Sequence, residues 1–394
     1  MKKLLVILLL ASLGLQAQEE SPWQLTGYLK YLASYSQVNK AYFPPELHSE
    51  TSFNNFDQLL HNRFDLRYYK GGWTGGIGMR TRLFQGASVE KGESFYQGLD
   101  KDAGLADLSF LYWKSDQVLM HTIIDRLWLQ YEIEKWSFRL GRQRINWGMT
   151  SVFNPNDLLN QYNFLDFDYE ERPGVDALRV QFFPNFSSQL ELAIAPGRDE
   201  INTAALLYRN NAYLYDFQFI AGFYDAQATL GGGWAGSIGG FGFKGEANYY
   251  FENNQEAKSE VLVAAADVDY VFSNGLYLTL GYLYNQSAAE GLGVLAFSNV
   301  SDGQVLSPRN PYIYRNTALL SLNYPFNPLI NGSLTGMYSP DGNSTIIFPS
   351  ISYSLSTNWD ILVAGQFFLA DNDLAAQEYD AFANSLFLRL KWSF

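Results

Sequence analysis

The chain has 394 residues, a formal charge of −13, no cysteine, 16% aromatic residues and 33 glycines. The absence of cysteine excludes disulfide frameworks, thiolate metal sites and thiol catalysis. The acidic balance argues against a nucleic-acid partner, because binders of nucleic acid carry basic patches.

Lys2 and Lys3 precede an apolar run from Leu4 to Leu15, too short for a spanning helix, which needs roughly 20 residues. Small residues and then a polar stretch follow, so residues 1–17 read as a secretory signal peptide cleaved after Ala17. Loss of Lys2 and Lys3 with this leader takes the formal charge to −15. The expected mature domain is 18–394. It carries no run of about 18 apolar residues, and mean hydropathy is only −0.15. Within lipid only helices and closed barrels satisfy every backbone group. An exported, helix-poor, aromatic-rich chain is therefore a secreted all-β protein or an outer-membrane β-barrel.

Two-faced alternation, the mark of a strand with two different environments, recurs along the whole chain. Leu25, Gly27, Leu29, Tyr31, Ala33 and Tyr35 share one parity. Phe64, Leu66 and Tyr68 oppose Arg63, Asp65 and Arg67. After Lys70–Gly72, the series Trp73, Gly75, Ile77, Met79 opposes Arg80 and Arg82. Leu127, Leu129 and Tyr131 oppose Arg126, and beyond Ile133–Lys135 Trp136, Phe138 and Leu140 oppose Arg139. In the second half, Tyr213 to Phe223, Phe241 to Phe251 and Leu262 to Phe272 alternate in the same way. Ser273–Gly275 contains Asn-Gly, a strong hairpin signal.

Short turns are expected at 70–72, 133–135, 184–187, 209–211, 238–240, 273–275, 325–328 and 356–358. Longer polar segments lie between them, near 38–56, 87–120, 149–172, 287–313 and 370–382. Transmembrane barrels show this asymmetry, with tight periplasmic turns and long extracellular loops. With both ends on the periplasmic side, the count implies a transmembrane antiparallel β-barrel of about 18 strands, with 16 or 20 as alternatives. Aromatic residues such as Tyr68, Trp73, Tyr131, Trp136 and Trp359 flank the short turns, where an interfacial girdle belongs. A soluble sandwich or propeller needs neither girdle nor one-sided loops.

The final strand alternates Leu386, Leu388, Leu390, Trp392 and Phe394. It resembles the C-terminal signal read by the outer-membrane assembly machinery, which the resemblance implies as a partner. The run Gly141 to Gly148 (GRQRINWG), Asn154 to Asn160 (NPNDLLN) and Glu171 to Val180 (ERPGVDALRV) resembles porin-like outer-membrane families. The DUF1302 family and alginate-export channels are the ones it suggests. That resemblance implies a barrel and a channel and names no solute.

If the apolar parity faces lipid, Arg63, Arg67, Arg80, Arg82, Arg126, Arg139 and Arg179 face the lumen. A bulge at Gly141 would turn Arg142 and Arg144 inward too. Charge on the lipid face costs roughly 2–4 kcal/mol at the midplane, so inward is the cheaper home. Glu246, Asp267 and Asp269 lie on later strands, and the two walls would set a transverse field. Guanidinium forks suit carboxylate, phosphate or sulfate. The alternative is that the arginines form structural ladders with Asp65, Glu132 and loop acids. Asn154 and Asp157 sit in a turn or helix-start pattern, and Asp166, Asp168, Glu170 and Glu171 follow. Segment 149–172 is therefore expected to fold into the lumen as a constriction.

His48, His61 and His121 have no metal-ligand spacing. The His121/Asp125 pair reads as a solvated loop-end pair rather than a catalytic one. No nucleophile elbow or phosphate-binding loop is present, and no cofactor is expected. The function expected is a porin for small polar, anionic solutes in contact with outer-membrane lipid. The competing class is a non-transporting barrel whose loops bind a partner. The sequence leaves the oligomeric state open.

Overall fold

Period-two patterning becomes a single antiparallel sheet closed on itself. A computed structural model describes residues 21–42, 54–90, 92–99, 102, 104–160, 171, 174–197, 202–288, 306–371 and 379–394. The leader 1–17, with its cleavage site, lies outside the described residues, as do Asp166, Asp168, Glu170 and His48.

The first wall strands are β1 (Trp23–Val38), β2 (Asn54–Lys70) and β3 (Trp73–Gly86). Two short helices follow, α1 (Ala87–Glu90) and α2 (Glu93–Leu99), and then β4 (Ser109–Lys114), β5 (Val118–Ile133) and β6 (Trp136–Gln143). The wall continues with β7 (Val175–Asn185), β8 (Ser188–Ala195), β9 (Thr203–Ala212), β10 (Tyr215–Tyr224), β11 (Gln227–Ile238) and β12 (Phe241–Tyr250). It is completed by β13 (Val261–Val271), β14 (Tyr277–Asn285), β15 (Asn316–Asn327), β16 (Ile330–Ser339), β17 (Ser344–Ser356), β18 (Trp359–Asp371) and β19 (Tyr379–Ser393). Each wall strand pairs with its sequence neighbour, β3 pairs directly with β5, and β1 pairs with β19. Among the described residues β4 pairs only with β5, beside the stretch of β5 that β6 does not reach. The closed wall thus has 18 strands of the 19 in the sheet.

The expected parities hold. Leu129, Leu140, Phe219, Leu280, Ile351, Val363 and Leu386 are exposed on the outer face. Tyr28, Lys30 and Leu32 on β1 are buried on the inner face. An outer face so apolar would destabilise a water-surrounded barrel and suits lipid. At the short-turn end, aromatic pairs cross from strand to strand: Trp23 with Tyr68 and Trp73 with Tyr131 (both 4.6 Å), Trp136 with Phe182 and Phe241 with Tyr270 (both 4.5 Å).

One turn differs from expectation. The β9–β10 hairpin turns at Tyr213–Leu214, not at 209–211, and both residues take positive φ (55° and 66°). Arg209, Asn210 and Asn211 instead pair in register with Gln218, Phe217 and Asp216.

The chain end closes the seam. Phe394 and Gly27 exchange two backbone hydrogen bonds of 3.0 Å, and the Phe394 ring packs on Trp392 (5.1 Å) and Phe64 (5.8 Å). Deleting Phe394 removes that clamp from the β1–β19 pair that closes the barrel. The expected result is less folded barrel in membrane fractions, read by heat-dependent gel mobility, before any change in ion selectivity. Normal assembly of the truncated chain would count against the role given to this residue.

Candidate functional site

Adjacent strands β2 and β3 place Arg63 directly opposite Arg80, and β6 and β7 place Arg139 opposite Arg179. Like charges facing each other across strands are destabilising without counter-charges. Two buried acids meet this need. The first is Asp125. Pairing between β3 and β5 shifts from Gly78–Arg126 to Met79–Ile124, so Asp125 is an extra residue in a bulge. The bulge lets Asp125 and Arg126 both be buried although they are neighbours in sequence. Asp125 Oδ2 accepts from Arg63 Nη1 (2.7 Å) and lies 3.0 Å from Arg80 Nε. Asp65 takes the other side of Arg63 in a bidentate pair at 2.6 and 2.8 Å.

The second acid is Glu191, on the inner parity of β8. It accepts from Arg179 Nε and Nη2 (both 2.7 Å), from Gln181 and Gln189, and from the Trp147 indole N–H (2.8 Å). Sequence reasoning did not single out Glu191. Its signal was present, since Leu190 and Leu192 flank it and define it as inward.

The other arginines separate into groups. Arg82 Nη2 donates to His121 Nδ1 (2.9 Å), while His121 Nε2 meets Ser109 Oγ at 2.8 Å. With Nδ1 accepting, the ring proton sits on Nε2 and donates to Ser109, so His121 cannot act as that serine's base. His121 is also fully buried, and the Asp125 contacts described above go to arginines, which corrects the expectation of a solvated His121/Asp125 pair. Arg142 is 2% exposed in its side chain, clamped by Asp176, Asp102 and the Ala106 carbonyl. Pairing on both sides of Gly141 runs without a register shift, so the expected bulge there is absent; the residue takes φ +114° instead. Arg126 lies 3.5 Å from Glu171. Arg139 has a neutral partner, Gln130 (2.5 Å), and lies 4.2 Å over the Trp128 ring. Arg67 and Arg144 have no ion-pair partner among the described residues.

Arg63, Arg67, Arg126, Arg139, Arg144 and Glu171 line one cavity of ≈ 430 Å³ along the inner face of β1–β6. The inner face of β15–β17 carries neutral hydroxyl pairs, Thr317 on Ser339 (2.8 Å), Ser321 on Thr335 (2.9 Å) and Ser333 on Ser350 (3.0 Å), interleaved with buried Leu319, Met337 and Ile346.

After Gln143 the chain leaves the wall and crosses the interior. Gln218 of β10 donates to the Trp147 carbonyl (2.7 Å), and Asn156 donates to Gly232 of β11 (2.9 Å). Glu246 of β12 accepts from Met149 N (2.8 Å) and Thr150 Oγ1 (3.1 Å), and Asp267 of β13 accepts from Ser151 N. Asn154 and Asp157 are buried in a turn closed by Asp157 N to the Asn154 carbonyl (3.1 Å), and no helix starts there. Ile145, Trp147, Phe153 and Leu158 pack with Leu207, Val261, Val263, Leu283, Tyr312 and Tyr314 into one apolar cluster inside the barrel. Glu246 and Asp267 therefore grip this segment, while Asp269 pairs with Lys244 (3.1 Å). The expected acidic wall across an open lumen is thus occupied by loop backbone.

By sequence the chain matches no known family model and no curated protein. By structure it is similar to OccAB3 of Acinetobacter baumannii, with a TM-score of 0.59, 9% identity, and coverage of 94% of this chain and 99% of that one. It is also similar to OccK5 (OpdH) of Pseudomonas aeruginosa, at 0.58, 7% identity and coverage of 94% and 98%. For OccK9 (OpdG) of the same organism the values are 0.57, 12%, 94% and 98%. At these identities the likeness is one of fold, a closed antiparallel barrel.

Proposed function

We propose that the protein is an outer-membrane channel for passive diffusion of small polar, anionic solutes through an arginine-lined lumen narrowed by the segment after β6. The observation that carries this reading is the cavity beside β1–β6, where Arg67 and Arg144 have no acid partner among the described residues and Arg139 has a neutral one. Unneutralised guanidinium groups in a water-filled passage attract carboxylate or phosphate and raise the local anion concentration. The apolar outer face, the aromatic ring at the short-turn end and the closed-barrel fold shared with OccAB3, OccK5 and OccK9 support a place in the outer membrane, with the short turns periplasmic. The resemblance of 141–180 to DUF1302 and alginate-export channels points the same way.

Planar-bilayer recording tests it. The wild-type channel should conduct with an anion-preferring reversal potential. The Arg67→Ala/Arg144→Ala double variant should move that potential towards neutrality with folding intact, because neither residue holds an ion pair. Arg179→Ala differs in kind: it strands the buried Glu191 carboxylate, so it should lower stability along with any change in selectivity. No conductance from a well-folded barrel would overturn the channel reading. An unchanged potential in the double variant would make the two arginines bystanders.

A further inference from the structure

A second cavity, ≈ 330 Å³, lies nearer the long-loop end and differs in chemistry from the arginine cavity deeper in the lumen. The segment after β3 folds back over the inner wall. Val89 of α1, Tyr96 of α2 and Leu119 of β5 are buried together, with Phe84 and Phe95 packed on them. Phe84 and Phe95 meet edge to face at 5.3 Å, and with Leu32 they form an apolar side of the cavity. Arg80 and Arg82 form another side. The Arg82 guanidinium lies 5.3 Å over the Phe84 ring, which fixes charge and ring side by side. Asp125 engages Arg80 through Nε, and the two terminal nitrogens of Arg80 have no partner among the described residues. Among the described lining residues Asp57 is the one carboxylate, and it is held in place: its oxygens accept from Ser88 N (2.7 Å) and Ser88 Oγ (2.9 Å) at the start of α1. The cavity therefore presents the unpartnered terminal N–H donors of the Arg80 guanidinium next to an aromatic wall.

We infer that this cavity is an entry subsite that selects monoanions carrying an apolar tail, with the anionic head on Arg80 and the tail against Phe84, Phe95 and Leu32. It rests on the channel reading and narrows the solute class from small anions in general to amphipathic ones. A head-only anion gains nothing from the aromatic wall. Each buried methylene is worth about 0.8 kcal/mol, so hexanoate, only partly covered, should bind about tenfold or more tighter than acetate.

The test is calorimetric titration of the purified full-length protein in detergent with acetate, hexanoate and hexan-1-ol, beside bilayer recording of the same preparation. Expected are the hexanoate preference over acetate, weak binding of the neutral alcohol, loss of the preference in Phe95→Ala with acetate binding unchanged, and weaker binding of both acids in Arg80→Gln. Retained conductance of each variant shows that it is folded. Equal affinities for hexanoate and acetate, hexanol binding as tightly as hexanoate, or a preference that survives Phe95→Ala would each overturn the subsite. Binding of hexanoate by a folded barrel that conducts nothing overturns the channel reading and leaves the subsite standing. Conductance without hexanoate preference does the reverse.

Discussion

Asp125→Ala is expected to be among the most damaging single substitutions in the barrel wall. Its carboxylate is the charge partner shared by Arg63 and Arg80, which face each other in register on β2 and β3. Arg63 has a second acid, Asp65, while Arg80 has no other ion-pair partner among the described residues. Removing one member of a buried, hydrogen-bonded charge group typically costs about 3–5 kcal/mol, because the remaining charge loses its partner without regaining water. The Arg80 side chain, which keeps no other acid, is 12% exposed, and that of Arg63 only 3%, so water reaches both poorly. The loss should appear as a lower urea midpoint for the barrel reconstituted in lipid. Asp125→Asn, which keeps one acceptor and loses the charge, should fall between wild type and alanine. Equal stability of all three would mean that solvent in the lumen screens the pair fully.

The same substitution should alter conduction in the opposite direction to the Arg67/Arg144 change. Freeing Arg80 from its counter-charge adds an unneutralised guanidinium to the passage, so molecules that do fold should prefer anions more strongly. A stability loss with a stronger anion preference separates Asp125, which positions and neutralises arginines, from a residue that only fills space.

The strands were legible because lipid enforces a rule with few exceptions: an outward side chain must be apolar, and the period is two. The leucine series 386 to 390 needs no tertiary information to be assigned. Features that rest on two or more distant segments were not legible. An inserted residue at Asp125 leaves no compositional trace, since His121 and Asp125 share a parity and Arg126 continues the opposite one, so only the partner strand reveals the slip. Gly141, by contrast, looked like the bulge and is not one, because a glycine can take positive φ without disturbing register. The turn at Tyr213–Leu214 hid behind Arg209–Asn211, whose polar residues have turn chemistry yet serve as inward or paired strand positions. Val261, Val263 and Ala265 were the clearest clue to an occupied lumen. They are apolar on the parity that should meet water, and an inward segment is what covers them. Reading only the lipid-facing parity concealed this, and it also made Glu246 and Asp267 look like bare wall charges.

That occupied half-lumen leads to the last expectation. Replacing 149–160 by a glycine/serine chain of the same length removes the backbone's specific partners and the apolar side chains of Phe153 and Leu158. It leaves untouched the wall ladder, in which every strand satisfies its neighbours. The barrel should still fold, although uncovered Leu207, Val261 and Val263 would lower its stability. Single-channel conductance should rise several-fold and fluctuate more, because a passage confined to the β1–β6 side would widen towards β8–β13. A milder variant, Glu246→Ala with Asp267→Ala, keeps the segment's sequence and removes the acceptors for Met149 N, Thr150 Oγ1 and Ser151 N. It should produce brief openings to the larger conductance on top of the wild-type level, since the Trp147 contacts to Gln218 and Glu191 still hold one end. If both variants conduct as the wild type does, the segment after β6 does not limit flow, and the constriction must lie among the arginines themselves.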